Sequence, residues 1–178
     1  MKKVYLCTCS IMFLLYLFCK NGQIADLLFY KNGNEILWVQ SVTTQFIHYT
    51  LLHYLCNMLV GWVVLKELVN RFSFWTIIIT GIGSIVVIAI LLEAFAKTKT
   101  IYCGFSGTIL SWYSILMMDK MIKEKDGYKK KEIIIDTIML VLISIISPGV
   151  SILMHLAGIL TGVCTFGLIK YCQYRIKK

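Results

Sequence analysis

The chain has 178 residues, 58% of them hydrophobic, a single proline and a mean hydropathy of +0.78, which leaves too little polar surface to coat a water-soluble globule. Its formal net charge of +9 needs no nucleic acid to explain it, because basic loops beside anionic lipid give the same excess. These figures exclude a soluble domain and predict an all-α, polytopic membrane helix bundle whose surroundings are the lipid bilayer.

The first apolar run, 4–19, follows a basic start and looks like a secretory signal. No small-x-small cleavage site comes after it, so it reads as an uncleaved first span. Residues 20–50 mix Leu, Ile, Phe, Tyr and Trp with glycines and isolated charges. That is too apolar for a solvated loop and too broken for a span, and predicts a structured segment in the outer interface, where Trp38 and the tyrosines are favoured. Further runs follow at 51–65, 73–92, 103–118, 133–147 and 151–169, most near the roughly 17–25 residues a spanning helix needs. The shorter ones must extend into their flanks. No repeat, low-complexity tract or soluble domain interrupts them, so residues 1–178 form one transmembrane domain. The longest polar segment, 119–132, reads as a plain connection.

Orientation follows from the basic residues. Alternate ends of the six runs hold fourteen of the 18 Lys and Arg, and the other set holds four: Lys20, Lys31, Lys97 and Lys99. The positive-inside rule then puts both termini and the 119–132 connection in the cytoplasm and residues 20–50 outside. The lysine-rich composition suggests a bacterial plasma membrane. Seven cysteines, with no C-x-x-C, lie within or at the ends of apolar runs and serve as small hydrophobes, not as a disulfide framework.

Every Asp and Glu falls in a connection or within about one turn of a span's end. That disfavours an ion-coupled carrier, which generally needs an intramembrane carboxylate. The three histidines, His48, His53 and His155, sit instead at or just inside the outer boundary of a span, where polar groups are functional by default. His53 and Asn57, four apart, share a helix face, and His48 looks elsewhere. HYTLLH lacks the spacing and glutamate of H-E-x-x-H, so no metal is expected.

Ser106 opens the fourth run on its outer side, and His155 lies about one turn into the sixth from the same side. The two can share a depth as nucleophile and general base, and the lack of a carboxylate makes them a dyad. Gly158 and Gly162 lie nearly on the face of His155 and allow close helix packing. Gly104 and Gly107 allow a sharp turn into the helix and close approach of a substrate backbone. The first N–H groups of that helix, at Ser106 and its neighbours, together with His53 and Asn57, can converge on an oxyanion. Taken singly, each feature has a plainer reading: such a serine usually bonds to its own backbone, and His155 or Asn57 can simply join two helices. Their common depth on one side of the membrane is what argues for a site.

The pattern resembles the rhomboid family of intramembrane serine proteases over residues 38–169. The pieces are H-x-x-x-x-H-x-x-x-N-M as His48, His53, Asn57 and Met58, preceded by Thr43 and Phe46; Glu67 after the second span; G-x-S-G as Gly104–Gly107; and H-x-x-G-x-x-x-G as His155, Gly158 and Gly162. The resemblance implies Ser106 as nucleophile and His155 as base. It also implies an oxyanion hole of His53, Asn57 and the Ser106 N–H, with His48 and the four glycines structural near the site. A six-helix bundle, no cofactor, and single-span membrane proteins as substrates are implied as well. The chain departs from the family where Trp-Arg is common, with Val39 and Gln40 there and Trp38 displaced by one, and at Leu110, where some members carry an aromatic residue. Two rivals stand beside the protease: an inactive rhomboid-like protein that binds transmembrane helices, and a small carrier or channel.

Overall fold

The computed structural model describes residues 2–20, 30–31, 37–95, 101–146 and 151–176. Seven α-helices lie among them: α1 (Lys2–Lys20), α2 (Leu37–Thr43), α3 (Leu51–Leu68), α4 (Phe74–Phe95), α5 (Ser106–Lys123), α6 (Gly127–Ile146) and α7 (Ile152–Ile176). A 3-10 turn, Thr44–Phe46, follows α2. The six long helices cover the six apolar runs. Among the described residues α3, α4 and α7, with 18, 22 and 25 residues, are long and apolar enough to cross a membrane.

The bundle is apolar on its outside as well as within. Leu52, Leu55, Leu59 and Val63 form one exposed stripe along α3, an arrangement that lipid, unlike water, rewards. In α5, by contrast, residues pointing in every direction are buried, including Thr108, Leu110, Ser111, Trp112, Ser114 and Leu116. That marks it as the central helix, with α3, α4 and α7 packed around it. Buried polar groups mostly find partners: the Trp112 indole N–H donates to the Ile77 carbonyl at 3.0 Å, and the Tyr5 hydroxyl of α1 donates to the Met58 carbonyl of α3 at 2.6 Å. The 3-10 turn after α2 is stitched to α4 by Gln45, whose amide donates to the Ile85 carbonyl at 2.9 Å.

Two expectations change. The segment 119–132 is largely helical: α5 runs to Lys123 and α6 begins at Gly127, leaving three residues between them. Lys and Glu are good helix formers, so both helices continue past the apolar run. The turn is closed by Glu124 Oε1, which accepts from the Lys125 and Asp126 N–H groups at 2.9 and 3.0 Å. The all-α class also gains a short antiparallel ribbon, β1 (Tyr30–Lys31) with β2 (Ile101–Tyr102), in the register Tyr30 to Tyr102 and Lys31 to Ile101. Most of the stretch 21–36, expected at the outer interface, and Lys97 and Lys99 lie outside the described residues.

Candidate active site

Ser106 is the first residue of α5. The chain reaches it through Gly104, whose φ of +110° is a backbone state that side chains resist and glycine accepts. Two long-range hydrogen bonds fix this loop: the Gly104 N–H donates to the Thr44 carbonyl at 3.1 Å, and the Thr44 hydroxyl donates to the Tyr102 carbonyl. Ribbon and 3-10 turn thus brace the serine from below the helix start.

His155 lies in the first turn of α7, which Ser151 caps by accepting from the Met154 N–H at 3.2 Å. Its Nε2 stands 2.6 Å from Ser106 Oγ, a hydrogen bond between residues 49 apart in sequence. The imidazole is buried, the serine partly open. For Nε2 to accept the hydroxyl proton, Nδ1 must carry the ring hydrogen, and Nδ1 has no partner among the described residues. The depth match comes from how α5 and α7 cross. A Cβ on Gly158 would run into the carbonyl of Gly107, and one on Gly162 into that of Ser111. Small residues at a spacing of four on both helices therefore let the backbones touch.

His53 and Asn57 come from α3, whose start is capped by Thr50, with Oγ1 accepting from the His53 N–H at 3.1 Å. Both side chains lie over Gly104: a Cβ there would stand 2.7 Å from the His53 ring and 3.5 Å from Asn57 Nδ2. Asn57 is buried, and its amide nitrogen has no acceptor among the described residues. His48, just before α3, is 1% exposed. It packs edge-on against the His53 ring at 5.1 Å between centroids and against Tyr54 at 5.5 Å. Burial, reinforced by His53 beside it, pushes its pKa down to about 3, so it is neutral at physiological pH.

The structure thus gathers Ser106, His155, His53, Asn57, Gly104 and Gly107 around one point, with Gly158 and Gly162 behind it and His48 supporting His53. Leu110 is buried in α5, Gln40 is buried in α2, and Val39 and Trp38 are exposed. Sequence reasoning missed two supports. Ser151 before an apolar helix carries a readable capping signal. Thr44 reaches 58 residues along the chain, and nothing local announces it.

A family model described as Rhomboid domain matches residues 36–171, well over half of the chain. The chain belongs to the rhomboid family. No curated protein matches it. The matched region of this rhomboid runs from α2 into α7 and contains every residue of the site just described. It is a membrane protein of a family whose members are typically intramembrane serine proteases.

Proposed function

We propose that this rhomboid is an active intramembrane serine endopeptidase that cuts transmembrane segments of single-span membrane proteins. The observation that carries the reading is the 2.6 Å contact of Ser106 Oγ with His155 Nε2 at the start of α5. Ser106 Oγ attacks the scissile carbonyl carbon while its proton passes to His155 Nε2. The resulting oxyanion meets the Ser106 N–H, left without an intrahelical partner at the helix start, and the Asn57 amide, with His53 beside them. His155 then returns the proton to the leaving amine, and water, deprotonated by the same nitrogen, releases the acyl group. A bond held in a helix shields its carbonyl, so substrates carry Gly or Pro near the cut.

The same reading gives a multi-pass protein of six spans in a bacterial plasma membrane, with both termini on the cytoplasmic side and the Ser106 end outside. Reporter fusions at the two termini and at the 124–126 turn test it, and an external signal at any of the three overturns the orientation. Activity is tested with purified protein, a fluorophosphonate and a labelled single-span substrate. Labelling and cutting that vanish in Ser106→Ala support the protease. A folded wild type that neither labels nor cuts shows instead the inactive, helix-binding relative.

A further inference from the structure

The seven cysteines do not share one environment. Cys7, Cys56, Cys164 and Cys172 are exposed and Cys9 is half-buried, whereas Cys19 and Cys103 are buried, at 8% and 6% exposure. Both of these stand at the Ser106 end of the bundle. Cys103 adjoins Gly104, three residues before Ser106. Cys19 lies in the last turn of α1, which runs antiparallel to α3: the Tyr5 hydroxyl donates to the Met58 carbonyl at 2.6 Å, and the Tyr54 hydroxyl donates to the Cys9 carbonyl at 3.0 Å. The last turn of α1 therefore comes out where α3 begins, beside His53.

The two thiols approach the same layer from opposite sides. Tyr5, Met12, Tyr16 and Cys19 follow the i, i+7, i+11, i+14 spacing of one helix face, and all four are buried. Met12 shares a buried cluster with Tyr54 and with Phe105, the residue before Ser106, and Cys19 continues that face about two turns further out. Cys103 is held by the segment that leads into α3: the Tyr49 N–H donates to its sulfur. The adjoining His48 packs on the Tyr54 ring, which also meets Phe13 of α1 at 5.6 Å between centroids. Cys19 and Cys103 are near enough for the charge of one to be felt at the other.

We propose that Cys19 and Cys103 are a disulfide site, at which one bond fastens the end of α1 to the loop that carries Ser106. The site rests on the orientation given above, which puts this end of the bundle in the outer, oxidising compartment, and it does not need the protein to be a protease. The chemistry is exchange with an external disulfide donor. One thiolate attacks the donor's S–S bond and a donor sulfur leaves; the second thiolate attacks the mixed disulfide and the other donor sulfur leaves. The pair gives up two electrons and two protons, and the donor takes them as two thiols. Since folding closes both sulfurs in, exchange belongs to the stage at which the helices dock, and the finished bond is shielded from reductants. It closes a loop that contains α2, α3 and α4, and long loops are the ones whose closure most restricts the unfolded chain.

The test counts free thiols on the full-length protein taken from bacterial membranes, acid-quenched, denatured and alkylated with N-ethylmaleimide before intact-mass measurement. The chain has seven cysteines, so the wild type is expected to carry five adducts, and Cys19→Ala and Cys103→Ala six each, because the partner is set free. Digestion should give one peptide pair joining Cys19 to Cys103. Seven adducts, or a bond between other cysteines, overturns the proposal. A wild type with seven adducts is then exposed to oxidised glutathione in detergent: a bond that forms there shows that the pairing is sound and the orientation is what failed, while no bond shows that the two Cα atoms do not come within the roughly 7 Å that a bridge requires. In melts of the oxidised protein each single variant is expected to lower the unfolding temperature by roughly 5–10 °C, and the double variant by no more than either, since one bond is lost only once; additive losses would show two separate packing defects instead. Fluorophosphonate labelling of the same samples reports on Ser106 separately, so failure here leaves the protease reading where it stood.

Discussion

At its first residue α5 meets His155, with His53 and Asn57 over the adjoining Gly104 and no carboxylate, Lys or Arg among them; at its last turn its own Asp119 and Lys123 join Arg71 and Glu67 in a continuous chain of ion pairs. The charged end satisfies itself: Asp119, nearly buried, touches two cations. The neutral end does not, since Asn57 Nδ2, His155 Nδ1 and both nitrogens of His48 are buried without partners among the described residues. Unpaired polar atoms cost about 1–3 kcal/mol each and call for an explanation. Ser111 turns its hydroxyl to the Thr108 carbonyl at 2.7 Å and Thr161 to that of Ala157 at 2.8 Å, whereas Ser106 faces His155. One end of α5 is built to hold the bundle, the other to meet something that arrives.

The sharpest way to break this contrast is at the dyad. Ser106→Ala and His155→Ala are each expected to lower the steady-state cleavage rate by roughly 10⁴-fold or more with little change in unfolding temperature; a residual rate within tenfold of wild type removes the dyad. Asn57→Ala is expected to lower kcat by roughly 10²-fold with a smaller effect on KM, and the reverse split would make Asn57 a substrate-binding group. Gly158→Val drives α7 off the Gly107 carbonyl and misplaces His155 by about 1 Å, for a further loss of roughly 10²-fold; unaltered cleavage would show that the helices need not touch.

His48 gives a pH signature. Folded, it binds its proton far more weakly than the ordinary pKa of 6.5, down to about 3, so falling pH favours the unfolded chain. Its contribution to stability is complete above pH 6.5 and is lost progressively toward pH 3. Unfolding temperatures in detergent between pH 8 and 4 should fall with acid in the wild type and fall less in His48→Phe; parallel curves would count against the assignment. The smallest effect belongs to the charged end. Lys123→Gln removes a pair whose lysine is 58% exposed, and is expected to cost under about 1 kcal/mol with no change in cleavage.

Much of this was readable in the chain. The six apolar runs became six long helices because burial in lipid is a local property, summed residue by residue. Ser106 and His155 stood out because a polar group in such a run is rare enough to need a reason. That α5 runs on to Lys123 and α6 starts at Gly127 is not legible in the same way, because charge marks where the apolar run ends, not where the helix does.

By itself the sequence determined that this is a membrane-embedded helical protein with a serine and a histidine at comparable depth, since hydropathy and helix period need no knowledge of neighbours. Only the tertiary structure decided that those two side chains touch and that Asn57 and His53 overlie Gly104. Each of these depends on how backbones far apart in sequence cross. That crossing is set by contacts such as Gly107 on Gly158, whose effect is felt only once both helices are in place.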